Sequence, residues 1–284
     1  MMDSHISSFV LSMTTFVYAL SSCLYIAAWV FKKDPPGKLA MGTLMLAAAG
    51  NAAGIVLRWI ESYDLGIGHA PFSNLYESLV FYSLVIAILS LVMEFRYRNR
   101  VIGAFTTPLM FLALAYASLN PNMNDRIQPL IPALKSNWLI AHVITCFLGY
   151  AGFAVAFVVS LMYLLKSRNL EESDQKPVHL PAPAVLDDIT HQLVMFGFFF
   201  LSIGIITGAV WANSAWGRYW GWDPKETWSL VTWFIYAVLL HARFMRGWQG
   251  KRIALLSIVG FSAVIFTYFG VNYLPGLHSY GQMP

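Results

Sequence analysis

Charge is what this sequence has least of: 11% of its 284 residues are Asp, Glu, Lys or Arg, against about 25% in an ordinary soluble domain. That shortage excludes a soluble globular protein, and the 15% aromatic content excludes a disordered one. Cysteine is scarce as well. Cys23 and Cys146 both sit inside apolar runs, form no CxxC pair, and read as small buried apolar residues. No CxxCH is present, so the chain is not itself a c-type cytochrome. A basic leader region is missing too, because Lys32 and Lys33 follow the first apolar run instead of preceding it. A cleaved signal peptide has the reverse polarity, so the first span is expected to be retained. No polar stretch is long enough to fold as a soluble domain, and no internal repeat is visible.

What is present is apolar: 58% of the residues are hydrophobic, in blocks long enough to cross a bilayer, which takes about 20 each. The expected fold is an all-α polytopic membrane protein, one integral membrane domain over 1–284. Eight spans are expected near 6–31, 39–60, 75–94, 101–119, 137–165, 188–211, 228–245 and 252–273. The basic residues alternate between the two sets of loops. Lys32, Lys33, Lys38, Arg96, Arg98, Arg100, Lys166, Arg168, Lys176, Arg243, Arg246, Lys251 and Arg252 fall on one side. Only Arg58, Arg126, Lys135, Arg218 and Lys225 fall on the other. The positive-inside rule then places the first set in the cytoplasm and both termini outside. The net charge of +4 is therefore a topology signal and calls for no nucleic acid.

Several features carry ordinary structural readings. The Pro-rich segment 177–185 reads as a cytoplasmic linker, with His179 a solvated loop residue. Asn74 followed three residues later by Glu77 resembles a capping box opening the third span. The pairs Gly50/Gly54 and Gly204/Gly208 form G-x-x-x-G motifs suited to close helix packing. Asn51, polar at mid-membrane, reads either as packing glue or as a substrate contact.

The densest signal is aromatic. Of 10 Trp, six lie in the stretch WANSAWGRYWGWDPKETWSLVTW: Trp211, Trp216, Trp220, Trp222, Trp228 and Trp233. An interfacial belt accounts for Trp211, Trp228 and Trp233. It does not account for Trp216, Trp220, Trp222 and Tyr219, crowded with Gly217 and Gly221 into a short outer loop of about 212–228. That density suits a flat apolar ligand needing a stacking surface. Asp223, Pro224 and Glu226 make a helix start of N-cap, first-turn proline and capping-box glutamate. Arg218 and Lys225 flank the cluster and are candidates to meet carboxylates of such a ligand.

Three histidines sit at depths that suit a haem ligand. His142 lies about 7 Å into span five by helix rise, and His278 follows the last span; both belong to the side carrying the Trp loop. His241 lies roughly 20 Å inward from Trp228, and an ionisable group within a span is a functional candidate by default. His191 beside Asp187 and Asp188 reads as interface polarity. His5 and His69 are loop residues, with His69 in reserve as a ligand.

From Gly208 to Gly281 the chain resembles the tryptophan-rich WWD signature of haem-handling proteins, in the form found in the CcsA (ResC) family. The resemblance rests on WGRYWGWDPKETWSLV at 216–231, LLHAR at 239–243, GVNYLPGLHSYG at 270–281 and AHVITCFLGYA at 141–151, with SNLYES at 73–78 agreeing more weakly. It is close over the C-terminal half and extends to the N-terminal half in topology. The related System I haem-delivery protein continues differently after its WWD aspartate.

The resemblance implies a membrane subunit of the System II cytochrome c synthase, a haem lyase, in a bacterial cytoplasmic membrane with the WWD loop on the extracytoplasmic side. It implies haem b, Fe-protoporphyrin IX, as the bound substrate. An outer haem would take His142 and His278 as iron ligands, and a membrane-embedded haem would take His241 and a histidine of the partner CcsB (ResB). Apocytochrome c and thiol-reducing thioredoxin-like proteins are the other implied partners. No residue stands out as a general acid, base or nucleophile. Competing readings are a bis-His b-type membrane cytochrome, a haem exporter without attachment activity, and a transporter of another aromatic solute.

Overall fold

The computed structural model describes residues 6–121, 123–171 and 179–276. Among these there are eight α-helices and no strand: α1 (Ile6–Phe31), α2 (Asp34–Asp64), α3 (Leu75–Tyr97), α4 (Val101–Leu119), α5 (Asn137–Glu171), α6 (Pro183–Trp216), α7 (Pro224–Arg246) and α8 (Lys251–Tyr268). Two 3-10 turns, Pro132–Leu134 and Gly270–Tyr273, complete the described structure. All eight helices are long and apolar enough to span a membrane.

The expected spans match in number and order; α2, α5 and α6 run further than the apolar runs do, and α8 stops at Tyr268, short of the expected 273. α2 begins at Asp34 and α6 at Pro183 because proline is tolerated in a first turn, where its missing N–H has no helical partner to lose. Apolar content marks only the part of a helix that lies in hydrocarbon. Gly217, in the left-handed region at φ 74°, then stops α6, and its N–H donates to the Asn213 carbonyl.

The helices group into two compact units, one ending at Lys135 and one beginning at Ser136. In the first, α1 packs on α2 and α4, and α3 packs on α4 and α2. Every residue that α1 buries except Leu11 carries a hydroxyl: Ser7, Ser8, Thr14, Thr15, Tyr18, Ser21, Ser22 and Tyr25. Its exposed side chains include Phe9, Phe16 and Leu20. This inversion suits a lipid solvent, where apolar side chains gain little by turning inward and small or hydrogen-bonding ones hold helices together. The Gly50/Gly54 pair does serve packing: a Cβ at Gly50 would lie 2.7 Å from Thr14 Oγ1, and one at Gly54 would strike Leu11. Asn51 Nδ2 donates to the Tyr18 hydroxyl over 3.4 Å, the packing role.

The first unit also buries an ion pair. Arg58, 2% exposed, donates from Nε to Glu77 Oε1 at 2.8 Å and stacks over the Tyr76 ring. Asn74 caps α3 by accepting from the Glu77 N–H, as expected. Glu77 does not complete a capping box, because its second oxygen accepts from the N–H and hydroxyl of Ser73 while the first holds Arg58. The demand of a buried guanidinium overrides the local cap. At the other end of α3, Glu94 accepts from the Tyr25 hydroxyl and lies 3.6 Å from Arg100 Nε.

In the second unit, α5 and α6 run antiparallel in close contact, and α8 lies against α5 and α7. Down the α5–α6 seam, Gly149 faces Leu201 and the Gly197 carbonyl, Phe153 faces Gly197, Cys146 faces Gly204, and His142 faces Gly208. The facing pairs step by four, three and four residues on both helices, the spacing of a packed helix seam. α7 is tied to α6 by an ion pair from Arg243 to Asp187 at 2.7 Å, and Asp187 also accepts the Gly250 N–H.

Removing one partner of a buried pair costs about 3–5 kcal/mol. Glu77→Gln is therefore expected to lower the thermal midpoint of the detergent-solubilised protein sharply. Arg58→Met with Glu77→Leu should recover much of that loss in the same melting experiment, since no charge is then stranded.

Candidate functional site

The site is assembled at the end of the second unit where α6 gives way to α7. His142 stands in the second turn of α5, against α6. Its Nδ1 lies 2.8 Å from the Gly204 carbonyl oxygen. A carbonyl can only accept, so Nδ1 carries the proton and the ring lone pair is on Nε2. The Cys146 sulfur lies 3.6 Å from the same nitrogen. The imidazole stacks on Trp211 with a centroid separation of 5.9 Å and an interplanar angle of 12°, and Trp211 meets the edge of Trp216 at 4.8 Å. His142, Trp211 and Trp216 thus form one continuous ring cluster.

Beyond it runs the loop Gly217–Asp223. Trp222 is 68% exposed and sits in the left-handed backbone region at φ 55°, a conformation costing a non-glycine residue about 1–3 kcal/mol. Glu226 holds it there. One carboxylate oxygen accepts from the Gly221 N–H at 2.7 Å and from the Asp223 N–H at 3.1 Å, bracketing Trp222 on both sides. The Asp223 side chain in turn accepts from the Lys225 N–H at 2.9 Å and from the Glu226 N–H, and the latter completes the capping box the sequence indicates. The cap therefore does two things: it starts α7 and it presents Trp222. The Trp222 ring meets Trp220 edge-on at 5.7 Å, and Tyr219 beside them is 60% exposed.

The two flanking cations differ in placement. Arg218 is exposed, and its guanidinium lies against Gly221, where a Cβ would come within 2.7 Å of Nε. Lys225 turns toward the 3-10 turn after α8, its Nζ 3.5 Å from Asn272 Oδ1. That turn leads to Gly276, which packs on the α7 start so closely that a Cβ would lie 2.6 Å from Asp223 Oδ2. His278 itself, like His5, lies outside the described residues. His241 is exposed on α7, toward the end away from the Trp loop, about 26 Å along the helix from Pro224 by helix rise. His69, in the other unit, has both ring nitrogens engaged by backbone carbonyls, Ala70 at 2.9 Å and Gln128 at 3.0 Å.

Three of the belt tryptophans do more than line an interface. Trp211 is buried against His142. Trp228 packs on Phe266, and Trp233 donates to Ser202 Oγ at 2.8 Å. The role of Trp211 escaped the sequence reading, as did that of Gly204 and Gly208. The available signal was the constant antiparallel register of 142 with 208 and 146 with 204.

Eight helices long and apolar enough to span a membrane, with a strained, exposed Trp loop and a histidine clustered with Trp211 and Trp216 in the second unit, define the class, and known proteins of this class narrow it. The profile of the family described as Cytochrome C assembly protein matches residues 72–278. The cytochrome c biogenesis protein CcsA of Prochlorococcus marinus is 40% identical over 267 residues, covering 84% of this chain and 83% of that protein. That of Guillardia theta is 37% identical, with 95% of each chain covered. Among solved structures, the cytochrome c heme lyase CcmF matches with a TM-score of 0.67 at 13% identity, over 94% of this chain and 48% of that one, a likeness of fold. The chain belongs to the cytochrome c assembly family as one of its CcsA members, and its role lies in cytochrome c biogenesis.

Each hydrogen bond to a charged acceptor is worth about 1.5–3 kcal/mol. Glu226→Ala is accordingly expected to speed hydrogen exchange at the Gly221 and Asp223 amides roughly tenfold or more. Glu226→Gln, which keeps an acceptor in place, should change exchange far less.

Proposed function

We propose that this chain binds haem, as Fe-protoporphyrin IX (haem b), at the Trp-loop end and presents it there for covalent attachment to the CxxCH motif of an apocytochrome c. The observation that carries this reading is the seating of His142: its Nδ1 proton is committed to a backbone carbonyl and its lone pair is on Nε2. That is the arrangement imidazole ligands adopt when a second group fixes the tautomer. The donor set therefore fits a haem iron, with His142 as one ligand and His278 as the other.

The surrounding residues supply what such a substrate needs. Trp216, Trp220, Trp222 and Tyr219 offer faces for the porphyrin, and Trp222 is held outward in advance of binding. Arg218, exposed on the loop, and Lys225, at the base of α7, are the cations assigned to the haem propionates. Each thioether forms when a substrate thiol adds across a haem vinyl group: a sulfur–carbon bond forms, the double bond becomes single, and the thiol hydrogen ends on carbon. The thiols come from the apocytochrome, so the chain needs no nucleophile of its own. Its contribution is orientation and exclusion of water, which can lower a barrier by several kcal/mol.

His241 takes a second haem within the membrane. It is exposed on α7, and its second ligand comes from the partner subunit CcsB, with which this chain forms the cytochrome c synthase. Thioredoxin-like proteins keep the substrate thiols reduced. The distribution of Lys and Arg orients the complex in a bacterial cytoplasmic membrane with the Trp loop on the extracytoplasmic side.

The test is haem quantification and an absorption spectrum of the chain purified with CcsB. The wild type is expected to carry a low-spin haem that His142→Ala with His278→Ala removes; haem content indifferent to both changes overturns the assignment. In the same preparation His241→Ala should lower total haem loading, and added imidazole should restore part of it. Undiminished loading rules out the membrane haem ligand.

A further inference from the structure

The Gly204/Gly208 pair reads from sequence as an ordinary small-residue packing motif, yet neither glycine meets a backbone atom first. A Cβ on Gly208 would lie 2.6 Å from His142 Nδ1 and 2.7 Å from its Cε1. A Cβ on Gly204 would lie 2.6 Å from Cys146 Sγ. Such distances are closer than real Cβ contacts, so the imidazole occupies the volume that a side chain at 208 would take. The same absence opens the flank of α6, letting His142 reach the Gly204 carbonyl one turn earlier at 2.8 Å. Trp211, three residues beyond Gly208, closes the other face by stacking within 12° of the ring plane. Thr207 Oγ1, whose shorter hydrogen bond goes to the Ile203 carbonyl at 2.8 Å, also lies 3.1 Å from the Gly204 carbonyl. Gly149 in the same seam behaves differently: it meets the Gly197 carbonyl and the Leu201 backbone at 3.0 Å, which is plain helix packing.

We propose that Gly204, Gly208 and Trp211 form a slot on α6 that positions and tunes His142, fixing both its ring plane and its Nδ1–H tautomer. The proposal rests on the reading of His142 as a haem ligand. A hydrogen bond from Nδ1–H to a carbonyl raises the electron-donating power of Nε2, and second-shell partners of this kind are worth about 10- to 100-fold in metal affinity. It favours ferric over ferrous iron, so the slot lowers the reduction potential of the haem bound there. Gly204, Gly208 and Trp211 are positioning residues and touch no reacting atom in this role.

The experiment uses the chain carrying His241→Ala, copurified with its membrane partner and loaded with Fe-protoporphyrin IX, so that the haem at the Trp-loop end is read without the membrane haem, and every further change is made in that background. His142→Ala comes first: loss of the low-spin haem signal supports the ligand reading, and retention refutes that reading and the slot with it. Given that loss, Gly208→Ala is compared with Gly149→Ala, a packing change in the same seam. Gly208→Ala is expected to weaken haem binding about 10-fold or more, shift the electron paramagnetic signature of the ferric haem and raise its reduction potential. Added imidazole should restore the low-spin spectrum. Gly149→Ala should leave signature and potential as in the wild type. Gly204→Ala should shift the same readouts, and Cys146→Ala in that background should reverse part of the shift by clearing the sulfur.

Trp211→Leu, which opens the slot without forcing the helices apart, provides the reading if Gly208→Ala does not fold; it should alter the electron paramagnetic signature. A wild-type signature and potential in the folded Gly208→Ala protein, or in Trp211→Leu should Gly208→Ala not fold, overturns the slot. Equal shifts in Gly208→Ala and Gly149→Ala overturn it as well, leaving packing as the sole role of the pair.

Discussion

The second unit depends on how closely α5 and α6 approach. Two helices in lipid gain little from burying apolar side chains against one another, so they hold together by backbone proximity and by polar contacts that only proximity allows. Here the approach is set by glycine at 149 and 197 and spends itself at the Trp-loop end on a single histidine. The register that puts Phe153 on Gly197 also puts His142 on Gly208, three helical turns away. A shift of α6 by one residue would carry the Gly204 carbonyl off Nδ1 and set a side chain against the ring. Packing and chemistry thus share one seam but not one contact: backbone meets backbone at Gly149, and the imidazole of His142 fills the space at Gly208.

The first unit solves the same problem with different material. Its helices meet through hydroxyls on α1 and through two buried carboxylates on α3, Glu77 and Glu94, each provided with donors. In hydrocarbon an unsatisfied polar group costs several kcal/mol, so such groups specify a register strongly: only the native arrangement places Arg58 Nε on Glu77 and the Tyr25 hydroxyl on Glu94. The terminal nitrogens of Arg58 meet no hydrogen-bond partner among the described residues, so the Nε–Glu77 pair and the Tyr76 ring carry the recognition of that guanidinium.

What could be read from the sequence follows from where each signal lives. Apolar runs report hydrocarbon, and they yielded eight spans in the right order while missing the polar extensions of α2, α6 and α7. Local capping chemistry reports only neighbours along the chain. It succeeded at Asp223 and Glu226, where the partners are local, and half failed at Glu77, whose carboxylate goes to Arg58 nineteen residues earlier. The same limit hid Trp211 and Gly208: nothing within a few residues of either points to His142, which lies on another helix. A buried indole at a span end looks like any interfacial tryptophan until the facing helix is in place. The sequence likeness to CcsA proteins identified the chain, while the tautomer of His142 and the strain at Trp222 required the folded backbone.

The Trp loop shows why a helix cap can be a functional element. A free loop could bring Trp222 to a flat ligand, but it would lose the conformational entropy of ordering an exposed aromatic residue at the moment of binding. The protein accepts that cost during folding instead. Glu226, fixed by the first turn of α7, holds the amides on either side of Trp222 and keeps the residue in a backbone region it would otherwise avoid. The stability of α7 and the readiness of the loop are thus coupled through one carboxylate, and Gly276 packed against Asp223 extends the coupling to the segment that leads toward His278. His142 is in this way held by α6, and the described chain as far as Gly276 by the cap of α7. The proposed bis-histidine site would need its two ligands on opposite faces of one plane, a geometry that rigid helix ends hold more cheaply than a mobile loop.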